Sequence, residues 1–232
     1  MAIKIFADGA DLDEMLENND NPAVSGLTTN PTLLRKAGVE DYEAFAKTVL
    51  SYINEKPVSF EVFADDLDEM ERQARKIASW GDNVFVKIPI TNTKGETTKK
   101  VIERLSEDGV KINVTAVMTL HQIATASNAL WDRVPGIISV FAGRIADTQV
   151  DPLPIMTSAV QYIRPFKNQE LLWASPREIL NLAQAERIGV HIITMTSDLI
   201  KKMSLRYKNL TEYSLDTVKM FYDDAKTSGY TL

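Results

Sequence analysis

The 232-residue chain has no cysteine and only two histidines, His121 and His191. The first absence removes disulfides, thiolate nucleophiles and zinc–sulfur sites. The second removes multi-histidine metal centres; a carboxylate magnesium site is left open, and neither metal nor organic cofactor is expected. There is no run of about 18 apolar residues that would suggest a membrane span. Met1 leads straight into a candidate strand, so no signal peptide is expected either. A formal charge of −6 gives no reason to expect nucleic acid or an anionic membrane as a partner. These absences together point to the cytoplasm. No G-x-G-x-x-G follows the first strand, which removes the signature of a dinucleotide fold.

What is present is a regular alternation. The strand-like runs begin at Ala2–Ala7, Val24–Thr28, Val58–Phe63, Asn83–Ile90, Lys111–Ala116, Gly136–Phe141, Glu170–Ala174 and Val190–Thr194. Between them lie helical patterns, such as Asp65–Trp80, whose Leu67, Met70, Ala74, Ile77 and Ala78 form one stripe. Pro31 and Pro176 are placed to open helices, and Gly109 to close one. Helices are also expected near Gly95–Asp108, Ser197–Tyr207 and Ser214–Ser228. Strands alternating with helices, without a linker or low-complexity insert, call for a parallel sheet. The expected fold is α/β, a single (β/α)8 barrel domain over residues 1–232 with an extra C-terminal helix.

One residue breaks the apolar logic. In N-V-F-V-K-I-P-I (Asn83–Ile90), period-2 alternation puts Lys87 on the face of Phe85, while Val84, Val86 and Ile88 face the other way. Both faces of such a strand are normally covered, so the ammonium must be paired or must shed its proton. A neutral lysine amine in a dry pocket is a Schiff-base nucleophile. In a barrel, chemistry sits at the carboxyl ends of the strands. Asp8, Thr28, Asn30, Glu61, Asn113, Thr115, Ser139, Arg144, Ser175, Arg177 and Thr194 all fall there with Lys87. Each has an ordinary explanation alone: Asp8 or Asn30 could cap a helix, and Thr115 could be a simple β-former. As a ring around one lysine they make a catalytic rim. An imine on Lys87 would act as an electron sink for carbon–carbon cleavage. Asp8 is the carboxylate suited to take the departing hydroxyl proton, and Glu61 is suited to hold a shuttling water. Arg144 and Arg177, with Ser175 beside Pro176, make a phosphate clamp.

The motifs also carry a resemblance. F-A-D-G (Phe6–Gly9), T-T-N-P (Thr28–Pro31), S-F-E-V (Ser59–Val62), V-K-I-P (Val86–Pro89), N-V-T (Asn113–Thr115), S-V-F-A-G-R (Ser139–Arg144) and A-S-P-R (Ala174–Arg177) occur in this order along nearly the whole chain. In these it resembles the transaldolase family, in particular its short single-domain members. The resemblance implies Lys87 as the Schiff-base lysine, Asp8 as the acid/base, and Glu61 with Thr115 as holders of a catalytic water. It implies Asn30, Asn113 and Ser139 as sugar-hydroxyl ligands, with Thr28 and Phe141 in the same substrate-facing set, and Arg144, Ser175 and Arg177 as phosphate ligands. The chain departs from the family pattern at Gly9, where threonine is usual.

Short members include transaldolases and fructose-6-phosphate aldolases. The aldolases are similar but favour glutamine and tyrosine at the positions of Glu61 and Phe141. The expected activity is therefore transfer of a dihydroxyacetone unit between sugar phosphates. The alternatives are an aldolase releasing free dihydroxyacetone, and a barrel that binds sugar phosphates without catalysis. The resemblance further implies a homo-oligomeric ring, a decamer being the candidate size, with Met220, Phe221 and Tyr222 of the C-terminal helix meeting a neighbour.

Overall fold

The computed structural model describes residues 2–230. The strands are β1 (Lys4–Asp8), β2 (Val24–Thr28), β3 (Val58–Glu61), β4 (Val84–Pro89), β5 (Ile112–Val117), β6 (Gly136–Val140), β7 (Gln169–Trp173) and β8 (Ile192–Met195). All are parallel, each pairs with the next, and β8 pairs with β1 to close the barrel. The helices are α1 (Leu12–Asp20), α2 (Pro31–Lys36), α3 (Tyr42–Tyr52), α4 (Leu67–Ala78), α5 (Lys99–Glu107), α6 (Leu120–Ala129), α7 (Ala142–Asp147), α8 (Leu153–Ile163), α9 (Leu180–Ile188), α10 (Ser197–Lys201) and α11 (Leu210–Thr227). This is the (β/α)8 barrel with an additional C-terminal helix that the alternation predicts. Among the described residues, those up to Ile200 form one compact unit and those from Lys201 form another.

Alternation along the strands makes the two layers. Phe6, Ile137, Leu172 and Ile192 point into the barrel and pack together, with Phe85 and Phe141 against them. Val84, Val86 and Ile88, on the opposite face of β4, are buried as well. Helix α4 buries Met70, Ala74 and Ile77, and Asp66 caps it by accepting the amides of Asp68 and Glu69. Gly109 follows α5 at φ 86°, in the left-handed region that closes a helix.

Several expected helices start or end elsewhere, α11 among them, which begins at Leu210 and not at Ser214. Helix α5 begins at Lys99 because Thr91 and Thr97 form an antiparallel bridge across the preceding turn. Helix α9 begins at Leu180 and not at Pro176: Ser175 is left-handed (φ 56°), and the amides of Arg177 and Glu178 turn onto Asn181 Oδ1. The segment after Ser197 is α10 followed by a 3₁₀ turn at Lys202–Leu205. Helix α11 buries none of its residues, and Leu215, Val218, Phe221 and Tyr222 are exposed.

Candidate active site

A cavity of about 490 Å³ opens at the carboxyl ends of the strands. Asp8, Thr28, Asn30, Glu61, Lys87, Thr115, Ser139, Phe141, Arg144 and Ser175 all line it. Asn113 and Arg177 do not line it. Among the described residues no cluster of three or more His, Asp or Glu side chains is arranged as metal ligands. No helix among them is long and apolar enough to cross a membrane.

Lys87 is set by register between its neighbours, opposite Glu61 on β3 and Asn113 on β5. It is buried, with 8% of its surface exposed. Its Nζ donates to the Thr29 carbonyl at 2.5 Å and lies 3.7 Å from Glu61 Oε2. The Thr29 hydroxyl lies within bonding distance of the same carboxylate oxygen (3.1 Å) and of the Ser59 carbonyl (2.9 Å). The other oxygen, Glu61 Oε1, is buried without a hydrogen-bond partner. Burial pushes the Glu61 carboxyl above the ordinary range, and the Lys87 charge and the Thr29 hydroxyl pull it back only in part.

Asp8, at the end of β1, is held from two sides. Thr28 donates to Oδ1 at 2.8 Å, and Asn30 donates to Oδ2 at 3.2 Å. Asn30 also caps α2 through its carbonyl oxygen, which fixes the orientation of its amide toward Asp8. The Thr28 hydroxyl is 2.6 Å from that of Thr194. With the Thr28 proton directed at Asp8, Thr194 becomes the donor to Thr28. Burial again dominates and raises the Asp8 carboxyl, with Lys87 opposing.

On β5 the ladder to β6 shifts register between Val114 and Val117, and Ala116 takes φ 60°. This bulge brings Thr115 and Ala116, adjacent in sequence, both to the cavity wall. Thr115 Oγ1 is buried and has no partner, like Glu61 Oε1. Two such orphan oxygens at one cavity call for a polar group between or near them. Asn113 lies beneath, its amide donating to Ser59 Oγ at 3.1 Å and its carbonyl accepting from Ser139 Oγ at 2.6 Å. Its polar atoms thus orient Ser139.

The far corner joins the β6 and β7 loops. A Cβ at Gly143 would fall 1.5 Å from the Ser175 carbonyl, so only glycine permits this approach. Arg144 lies over the Phe141 ring, 5.6 Å from its centroid. Arg177 instead makes a two-pronged ion pair with Asp147, its Nε donating at 3.0 Å.

A family model described as transaldolase/fructose-6-phosphate aldolase matches residues 5–232. The chain belongs to this family. A "Probable transaldolase" of a Thermoanaerobacter species is 34% identical over 202 residues, covering 87% of this chain and 89% of that one. Another, from Streptococcus equi subsp. zooepidemicus, is 34% identical and covers 96% of this chain and 97% of its own. Among solved structures, KGPDC from Streptococcus mutans shares the fold, with a TM-score of 0.56, 13% identity, and coverage of 84% and 88%. Two groups at the site of this transaldolase/aldolase family member escape a reading of the residues. Thr29 sits in T-T-N-P between Thr28 and Asn30, and its residue type alone does not mark it. Tyr42, whose hydroxyl bonds the backbone of Glu61, merely opens an amphipathic helix and carries no signal.

Proposed function

We propose that the protein is a transaldolase working through a Schiff base on Lys87. The observation that carries this reading is the buried Lys87 amine, 3.7 Å from a carboxylate whose own burial favours holding a proton. The amine attacks the ketone of a ketose phosphate such as fructose 6-phosphate or sedoheptulose 7-phosphate, and water leaves as the imine forms. Glu61, with Thr115, holds that water and moves its protons. Asp8 then takes the proton of the β-hydroxyl, the bond between the α- and β-carbons breaks, and its electrons pass to the iminium nitrogen. The aldose departs, and the three-carbon enamine attacks an acceptor aldehyde. Hydrolysis releases the new ketose and restores the amine.

Asn30 and Ser139 bind sugar hydroxyls, Asn113 orients Ser139, and Arg144 with Ser175 forms the phosphate corner that Arg177 flanks. Phe141 offers no hydroxyl to place a protonating water, which favours transfer over release of free dihydroxyacetone. The exposed apolar residues of α11 support assembly with further copies of the chain, and the composition supports a cytoplasmic enzyme of sugar-phosphate metabolism. Borohydride reduction in the presence of fructose 6-phosphate, followed by peptide mapping, tests the mechanism. A reduced three-carbon or six-carbon adduct on Lys87 is expected; an adduct elsewhere, or none, overturns it. Turnover with and without erythrose 4-phosphate separates transfer from cleavage.

A further inference from the structure

Strands β2 and β3 part company early, and one phenol fills the gap. In their ladder the amide of Leu27 donates to Pro57 and that of Thr29 to Ser59, at 2.8 and 3.2 Å. The next rung of a parallel ladder would join the Glu61 amide to the Thr29 carbonyl. It is not made. The Glu61 amide donates to the Tyr42 hydroxyl at 2.8 Å, and that hydroxyl donates to the Glu61 carbonyl at 3.2 Å. The Thr29 carbonyl receives Lys87 Nζ. The Tyr42 ring is held by Phe63 and Trp80, with centroids at 4.6 and 5.7 Å, so the hydroxyl is delivered by packing.

We propose that Tyr42 is a positioning residue: by taking both backbone groups of Glu61 it unzips β3 from β2 at the level of Lys87. This aims the Glu61 carboxylate at the amine and leaves the Thr29 carbonyl to hold it. Without the phenol, the Glu61 amide has the Thr29 carbonyl as its nearest regular partner, and it would compete there with Lys87. The kinetic side of this inference rests on the Schiff-base reading; the structural side does not. The titratable groups facing Glu61 are Lys87 on β4, Asp8 on β1 and Tyr42 itself on α3.

The test compares Tyr42→Phe with Trp80→Phe, which disturbs the same aromatic packing without removing the hydroxyl. Tyr42→Phe should lower kcat about 10- to 100-fold with KM nearly unchanged, as displaced catalytic groups do. It should also move the Glu61 carboxyl titration, read by infrared spectroscopy of glutamate-labelled protein against Glu61→Gln. Trp80→Phe should lower the melting temperature alone. If Tyr42→Phe does no more than Trp80→Phe, the proposal fails. Should Tyr42→Phe not fold, 3,5-difluorotyrosine at position 42 keeps the ring and weakens the hydroxyl as acceptor; an unmoved Glu61 titration there overturns the proposal equally. The infrared reading needs no substrate. A wild-type protein without a Lys87 adduct would therefore sink the Schiff base while leaving the role of Tyr42 to be decided.

Discussion

Lys87 Nζ bonds the Thr29 carbonyl at 2.5 Å and stands 3.7 Å from Glu61 Oε2, so the amine is anchored by the backbone and only neighboured by the carboxylate. In the proposed Schiff-base reaction, an amine held this way is released to a substrate carbonyl without breaking a tight ion pair. The same geometry leaves Glu61 buried with one oxygen unpartnered, which has a measurable effect on stability.

Burial raises the Glu61 carboxyl in the folded state. A group raised in this way stabilises the fold fully below its unfolded value, about pH 4, and that contribution is lost as pH rises through the folded value. Wild type should therefore lose stability relative to Glu61→Gln as pH climbs from about 4, at about 1.4 kcal/mol per tenfold change in proton affinity. Urea melts of both proteins across that range check the sign. Parallel curves would show that the carboxyl is not raised.

In the proposed mechanism Asp8 must be ionised to accept a proton, and burial raises it too. The acid limb of kcat/KM should therefore lie above the ordinary aspartate range. Asp8→Asn should cost about 10²- to 10⁴-fold in kcat, the usual worth of a general base. Steady-state kinetics of both proteins across pH measure each effect.

The two arginines should not be equal. Arg144 lines the cavity, whereas Arg177 is engaged by Asp147. Arg144→Ala should raise KM for a phosphorylated donor by roughly tenfold or more, the value of one hydrogen bond to a charged group. Arg177→Ala should do less. Comparison with the unphosphorylated sugar shows whether the loss belongs to the phosphate.

Ala116 takes φ 60° within the β5 bulge. Ala116→Gly should relieve this strain and raise stability by about 0.5–1 kcal/mol. It should also loosen Thr115 and lower kcat. Thermal denaturation and turnover read the two changes, which should have opposite signs.

Val218, Phe221 and Tyr222 lie exposed at helical spacing on α11. If this stripe joins copies of the chain, Val218→Glu with Phe221→Glu should yield a smaller species by light scattering. The barrel melt should change little.

The alternation of apolar strands and amphipathic helices was enough to determine the barrel, and with it the end of the strands where a polar-lined cavity opens. It also singled out Lys87, because period 2 within an apolar run leaves no route to water. Such patterns are local, and a one-dimensional reading captures them. The structure alone decided where the polar atoms of this rim point. The Thr29 carbonyl and the Lys87 amine are 58 positions apart, and Tyr42 reaches Glu61 from a different element. The bulge at Thr115–Ala116 breaks the alternation on which the strand reading depends. Asn113 and Arg177 carry the expected residue types, yet Ser59, Ser139 and Asp147 engage their polar atoms. Residue type states what a side chain can bond; closure of the barrel selects, among many capable partners, the one within three ångströms or so.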